Sequence, residues 1–400
     1  MPLHLLIPSL RRAPALLLLP LAAFAAEPAL PDGLYAEITT PRGVITCRLE
    51  YEKAPLPVAN FVGLAEGTLG PVPRHPFFDG LTFNRVVPHF VVQGGDPLGN
   101  GEGGPGYSFP DQFVVGLSHG AVGVLSMAND GPDTNGSQFF ITLEPVDRLD
   151  FLHSVFGMTV SGLEVLPKIV QGDTTHVRIL RLGAAARAFR ADDAAFAALS
   201  AAAPKYSAEP LPGPKAYFDD SDKLLPTDPP RAKNFNFKLG NVQRATGVKI
   251  YARLFARFTP GPDAPDPDTF AGRLAASLGL DPGAVLAVYF ADRDTWVLSV
   301  GTAMVGPFTG SPLDAHEVVR SGALAGATDA FLRRSRVRAT AYLALSKLVL
   351  PNNLQTPEQL IKVSVDGVLD ELIEKLTTRK QLMRLGSLQS GLDIWPGTSI

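Results

Sequence analysis

A chain of 400 residues is longer than most single domains, and we therefore expect two domains. Hydrophobic residues make up 46% of the chain and charged residues 19%, which indicates globular domains and excludes a chain that is disordered throughout. The formal net charge of −3 excludes the strong positive field that attracts nucleic acid or anionic lipid, so no nucleic-acid partner is expected. Cys47 is the single cysteine, which rules out an intramolecular disulfide.

The first 25 residues have the parts of a signal peptide. Arg11 and Arg12 precede an apolar run over residues 15–24, and the Ala-Phe-Ala sequence at 23–25 matches a cleavage signal. The run is shorter than the roughly 20 residues that a membrane-spanning helix needs, although a retained anchor is the alternative. We therefore expect an exported protein, periplasmic or secreted, without a stable membrane anchor.

Residues 33–183 have the pattern of a mainly β domain. An apolar stripe with helical spacing that begins at Val58 predicts a helix over residues 57–66, and a second short helix is predicted over residues 163–170. Short β-prone runs separated by Gly, Pro, Asn and Asp predict strands at residues 34–39, 43–50, 82–87, 90–93, 122–127, 138–143, 155–160 and 176–182. Many short strands with two helices indicate an all-β barrel or sandwich.

The composition changes after Gly183. Residues 184–203 are mostly alanine and predict a helix, and residues 204–230 are rich in Pro, Asp and Lys, as in a linker. Beyond them, strands are predicted at 248–255, 284–291 and 295–300, and helices at 269–278, 315–334, 339–348 and 358–375. This alternation indicates that residues 231–400 form an α/β or α+β domain.

Three segments carry the most specific signal in the chain: FNRVVPHFVVQGGD at 83–96, LSMANDGPDTNGSQFF at 125–140 and LDFLHSVFG at 149–157. In this order they closely resemble the cyclophilin-type peptidyl-prolyl cis-trans isomerases, and the resemblance extends over about residues 35–182. It implies an eight-stranded antiparallel barrel capped by two helices, which agrees with the strands predicted above. It also implies an enzyme that acts on proline-containing polypeptides and needs no cofactor or metal.

The chemistry of this reaction sets what the site must contain. Rotation about an X–Pro bond breaks amide resonance, a barrier of about 18–20 kcal/mol, and needs no covalent intermediate. The nitrogen of the twisted amide is a better hydrogen-bond acceptor than the planar one, so a fixed cation beside it stabilises the transition state selectively. The resemblance implies that Arg85 is this catalytic cation. A surface salt bridge is the alternative role for an arginine on a strand.

The resemblance also implies a set of substrate-binding residues. Phe90, Phe140, Leu149 and His153 match the proline pocket, and ordinary core packing is the alternative for the aromatic residues. His153 is interpreted as a pocket wall and hydrogen-bonding edge, because the reaction moves no proton. The residues implied to line the groove or align the substrate backbone are Val91, Gln93, Ala128, Asn129 and Gln138.

Two residues depart from the family pattern. Arg148 stands where the best-known members carry tryptophan, and Val91 replaces a common methionine. Since that tryptophan helps bind cyclosporin in the family, we expect weak inhibition by this drug. Neither change affects the implied catalytic cation, so activity is expected to be retained.

Residues 246–310 are similar to the TPM domain, a small α/β module. The similarity consists of GAVLAVYFADRD at 283–294 and WVLSVG at 296–301, a pattern that any β-hairpin could also produce. It implies no site and no particular partner for the second domain. For the whole chain, the alternatives to an isomerase of exported or folding proteins are a non-catalytic proline-peptide binding or chaperone module and an envelope assembly factor.

Overall fold

A computed structural model describes residues 30–207, 210–349 and 356–385; the predicted signal peptide, residues 1–25, lies outside them. In the first domain eight strands form one sheet in which every hydrogen-bonded pair is antiparallel. The strands are β1 (Gly33–Thr40), β2 (Gly43–Leu49), β3 (Arg85–Val87), β4 (Val91–Gly94), β5 (Val124–Met127), β6 (Phe139–Thr142), β7 (Val155–Ser161) and β8 (His176–Leu182). Their order is β3-β4-β6-β5-β7-β2-β1-β8, and a bridge between Thr82 and Thr174 connects the segments that lead into the two edge strands. The prediction of an eight-stranded antiparallel barrel is confirmed in the form of one curled eight-stranded antiparallel sheet.

Helix α1 (Pro55–Glu66) packs against this sheet. Prolines in its first turn occupy positions where no backbone donor is needed. Gly67 ends the helix in the left-handed region at φ 69°, which glycine adopts without a steric penalty. Residues 56–65 are all buried, so the helix forms part of the core and its apolar residues are not confined to one face.

The prediction of a second helix in the first domain, over residues 163–170, is wrong. A single 3-10 turn, Leu166–Lys168, forms there instead. Gly162 and Gly172, both with positive φ, turn the chain on either side and leave no room for a longer helix. Val165, Leu166 and Ile169 of this segment are nonetheless buried in the core of the first domain, whereas Leu163 and Val170 are exposed.

The alanine-rich segment at 184–203 forms two helices where one was predicted, α2 (Gly183–Ala188) and α3 (Asp193–Ala202). The chain leaves α2 in an extended conformation at Phe189, whose side chain packs against the first core. Asp192 then caps α3 by accepting a hydrogen bond from a backbone N–H of its first turn.

The second domain contains a four-stranded mixed sheet. Strand β9 (Phe218–Asp219) arises from the segment predicted as a linker and pairs in parallel with β10 (Lys249–Phe255). Strand β11 (Ala284–Phe290) is parallel to β10, and β12 (Thr295–Val300) is antiparallel to β11. The order is β12-β11-β10-β9, and β11 is buried along its whole length.

Helices surround this sheet and complete the α/β domain. They are α4 (Arg231–Thr246), α5 (Pro267–Ser277), α6 (Val305–Thr309), α7 (Ala315–Arg320), α8 (Ala323–Val349) and α9 (Pro357–Leu385). Helix α4 was not predicted from the sequence. It lies against the hydrophobic core of the second domain on one side and donates hydrogen bonds to the first domain. Over the part of the chain that the structure describes, none of the helices is long and apolar enough to cross a membrane.

Candidate active site

Three side chains, two on neighbouring strands and one directly before β6, form a hydrogen-bonded row at one edge of the first sheet. Arg85 on β3 lies opposite Gln93 on β4 and donates from Nη1 to its Oε1 at 3.2 Å. Gln93 in turn donates to Oε1 of Gln138 at 2.9 Å. The Gln138 amide donates to the backbone carbonyl oxygens of Gly101 and Gly103, which lie in a loop rich in glycine at residues 99–106. Each side chain therefore holds the next in one orientation.

Arg85 is held without a carboxylate partner. Within residues 30–207, 210–349 and 356–385, no acidic side chain forms a salt bridge with it, so the surface salt bridge considered from the sequence is not formed. Desolvation by its surroundings lowers the pKa of Arg85 from its usual 12.5, yet a guanidinium remains charged at physiological pH. Its central carbon lies 5.6 Å from the centroid of the Phe90 ring. The result is a permanent, unneutralised cation beside an aromatic residue.

The aromatic pocket residues lie together. Phe140 on β6 is opposite Gln93 in the β4–β6 register, and its ring meets that of His153 edge-on at 5.5 Å between centroids. Phe140 is mostly buried, whereas Phe90, Leu149 and His153 are each partly exposed. These side chains thus offer apolar surface on the same side of the sheet as Arg85.

His153 has a fixed ring orientation and is neutral. Its Nδ1 lies 3.1 Å from the Met127 carbonyl oxygen, which can only accept, so Nδ1 carries the proton and Nε2 is an acceptor. Burial lowers the pKa of His153 from 6.5 to about 4. The side chain can therefore accept a hydrogen bond at physiological pH without acting as an acid.

The remaining predicted residues line the adjoining surface. The Ala128 N–H donates to the Gln138 carbonyl oxygen at 3.0 Å, which continues the pairing beyond β5 and β6. The Asn129 amide donates at 2.9 Å to the carbonyl oxygen of Leu152, one residue before His153. Because this side chain is bonded to the chain beside His153, the main chain of Asn129 is the part available to a peptide. Val91 is buried in β4, two residues before Gln93 and therefore on the same face of the strand.

A buried polar network behind the pocket was missed in the sequence. His119 is fully buried, with Nδ1 2.7 Å from Oδ1 of Asp150 and Nε2 2.9 Å from Oγ of Ser126. Its ring stacks on Phe140 at 5.7 Å. Burial lowers the pKa of His119 to about 3 and raises the pKa of Asp150 to about 7. The network supports the inner face of the pocket. It could not be found from the sequence, because His119 and Asp150 lie 31 positions apart and belong to no common motif.

Comparisons with known proteins identify the family of the first domain. Residues 35–184 match the family model described as cyclophilin type peptidyl-prolyl cis-trans isomerase/CLD. A peptidyl-prolyl cis-trans isomerase of Arabidopsis thaliana is 42% identical over 165 residues, covering 38% of this chain and 96% of that protein. Peptidyl-prolyl cis-trans isomerase A of Mycobacterium tuberculosis is 47% identical over 134 residues, covering 32% of this chain and 74% of that protein.

Among solved structures, the chain is similar to a cyclophilin type peptidyl-prolyl cis-trans isomerase of Cryptosporidium parvum, with a TM-score of 0.32 and 28% identity over 36% of this chain and 98% of that one. The family model and the sequence relatives confirm the resemblance found in the three motifs. The chain belongs to the cyclophilin-type peptidyl-prolyl cis-trans isomerases, and residues 35–184 carry this membership.

Proposed function

We propose that this enzyme accelerates X–Pro rotation in exported or folding polypeptides by a non-covalent mechanism in which Arg85 stabilises the twisted amide. The observation that carries the proposal is the position of Arg85, a cation that pairs with no carboxylate among the described residues and is held by Gln93 beside Phe90. A module that only binds proline peptides has no use for such a group. The site therefore favours the enzyme over the binding module, with Arg85 as its electrostatic element.

The proline ring binds against the exposed parts of Phe90, Leu149 and His153. Apolar burial here holds the ring while the chain on its N-terminal side rotates. The Arg85 guanidinium donates to the proline nitrogen as conjugation is lost, an interaction that the planar cis and trans states do not make. Hydrogen bonds from charged groups contribute about 1.5–3 kcal/mol, a useful fraction of the rotation barrier.

Polar groups beside the pocket align the substrate backbone. Gln93 has its amide orientation fixed by Arg85 and Gln138, so a peptide meets a preorganised edge. The main chain at Asn129 offers further hydrogen bonds along the groove beside Ala128. Neutral His153 presents Nε2 as an acceptor, and no step requires it to move a proton.

The exported setting of the proposal is supported by the leader sequence at residues 1–25. Outside the cytosol, newly translocated chains contain prolyl bonds in both isomers, which exchange over tens to hundreds of seconds without a catalyst. An isomerase placed there would act on these chains as they fold.

The test is cis-to-trans exchange of a short Ala-Pro peptide, measured with the full chain and its Arg85→Ala variant. We expect the variant to lose roughly 100-fold in kcat/KM, the usual effect of removing one preorganised donor to a transition state. Arg178→Ala is the matched control, because Arg178 pairs with Glu37 on an exposed face of the same domain. Peptide binding without acceleration by the wild type would instead identify a binding module.

A further inference from the structure

The second domain contacts the stretch of chain that carries two of the pocket residues. We define this pocket segment as residues 147–153, which includes Leu149 and His153. Lys238 Nζ donates to the Arg148 carbonyl oxygen at 3.1 Å, and Asn241 Nδ2 donates to the Phe151 carbonyl oxygen at 2.6 Å. Helix α9 also lies beside the turn that begins the segment.

Both donors are buried and come from one face of α4. Lys238 and Asn241 are each 1% exposed and lie three residues apart, so their side chains are neighbours on the helix. Lys238 pairs with Asp370 of α9, which also accepts the Tyr342 hydroxyl of α8 at 2.8 Å. The amide of Asn241 is steadied by Arg244, which donates to its Oδ1 at 2.6 Å. Three helices of the second domain therefore fix the donors.

The two bonds fix one peptide group directly before Leu149 and one between Leu149 and His153. The Arg148 carbonyl belongs to the peptide that leads into Leu149, and the Phe151 carbonyl lies two residues before His153. Phe151 has a φ of 59°, which is costly for a bulky residue and persists only where the surroundings maintain it. Its side chain packs against the core of the second domain, which supplies that support.

We propose that α4 of the second domain positions the proline pocket, with Lys238 and Asn241 as positioning residues for the isomerase reaction. The second domain is then part of the scaffold of the active site. This inference rests on the proposed function, because it concerns the same pocket. Asp150, within the pocket segment, extends the effect inward through His119 to the ring of Phe140.

The test compares two equivalent substitutions on α4 in the full chain. Asn241→Asp removes the donor to the pocket segment and keeps an acceptor for Arg244. Asn236→Asp is the matched control, because Asn236 is also 1% exposed and donates at 2.6 Å to the Pro210 carbonyl oxygen, away from the pocket. Both variants should be destabilised to a similar extent in urea. Only Asn241→Asp should lose kcat/KM for the Ala-Pro peptide, by roughly threefold to tenfold, as expected for one buried hydrogen bond.

Equal kcat/KM values for the two variants at equal folded fraction would overturn the inference. A wild-type chain without isomerase activity would overturn the proposed function as well, so the two failures are distinguishable. A measurement on the unmodified chain covers the case in which Asn241→Asp does not fold. By linkage, saturation with the Ala-Pro peptide should shift the side-chain amide resonances of Asn241 and leave those of Asn236 in place. Unchanged Asn241 resonances would overturn the inference.

Discussion

Arg148 lies over the ring of Phe90, with its guanidinium carbon 4.6 Å from the ring centroid. Arg85 lies 5.6 Å from the same centroid, so this ring of the pocket contacts two cations. A guanidinium over an aromatic face is a favourable cation–π arrangement, which holds Arg148 at the rim of the pocket. The residue that departs from the family pattern therefore places a charge where the best-known members have an apolar ring.

Arg148→Trp should strengthen cyclosporin binding. An indole at the rim offers about 150–250 Å² of surface for burial against an apolar cyclic peptide. A hydrated guanidinium offers much less apolar area and therefore less favourable binding free energy. We expect at least tenfold tighter inhibition of Ala-Pro exchange in the variant, consistent with about 25 cal/mol per Å² of apolar area. Arg178→Trp, which places the same residue on an exposed strand, should leave inhibition unchanged. Strong inhibition of the wild type would contradict the expectation.

Export can be tested through the leader. When the full chain is expressed in a bacterial host with a periplasm, the cleaved protein should be recovered from the periplasm with Ala26 as its first residue. Ala23 and Ala25 fit the small-residue positions of the cleavage signal. Ala23→Arg should block cleavage, whereas Phe24→Leu, at the unrestricted middle position, should not. N-terminal sequencing distinguishes these products, and a cytoplasmic protein that retains Met1 would contradict the proposal.

The first domain could be predicted largely from the sequence because its signals are local. Strand alternation, the Gly and Pro residues between strands and the three motifs predicted the antiparallel sheet. The family resemblance predicted that Arg85, Gln93 and Phe140 belong to one site. The register that makes these residues neighbours follows from the pairing of β3, β4 and β6, which no single strand specifies. The His119–Asp150 contact was missed for the same reason, since both residues look like ordinary loop positions.

Helix α4 could not be predicted because its sequence resembles a polar loop. Its three asparagines and a glycine weaken the helical signal, and Lys238 would ordinarily face solvent. Asn236, Lys238 and Asn241 are buried because they donate to carbonyl oxygens of other segments, including the pocket segment. Hydrogen-bond partners that lie about 90 residues away in the chain are invisible to any local pattern.

Phe61→Ala should destabilise the first domain severely. The Phe61 ring of α1 lies within 5.4 Å, between centroids, of those of Phe78, Phe139 and Phe156, so truncation leaves a cavity that these large side chains cannot fill. We expect the free energy of unfolding to fall by about 3–5 kcal/mol, measured by urea denaturation. Val44→Ala, on an exposed position of β2, is the control and should change it by less than about 0.5 kcal/mol.

The pH dependence of exchange should reflect a neutral His153 and a charged Arg85. Burial lowers the pKa of His153 from 6.5 to about 4, so the imidazole stays neutral as pH falls through the usual histidine range and becomes protonated only near pH 4. Titration of His153 should therefore leave activity unchanged between about pH 5.5 and 8 and lower it as pH approaches 4, where a third positive charge joins Arg85 and Arg148 at the pocket and Nε2 of His153 can no longer accept. Near-UV circular dichroism at each pH separates this loss from unfolding. Burial raises the pKa of Asp150 to about 7, so a decline that Asp150 causes would persist in a His153→Gln variant. A decline centred near pH 6.5 in the folded wild type that is absent from His153→Gln would show that His153 titrates as an exposed histidine, and its interpretation as a neutral pocket wall would be wrong.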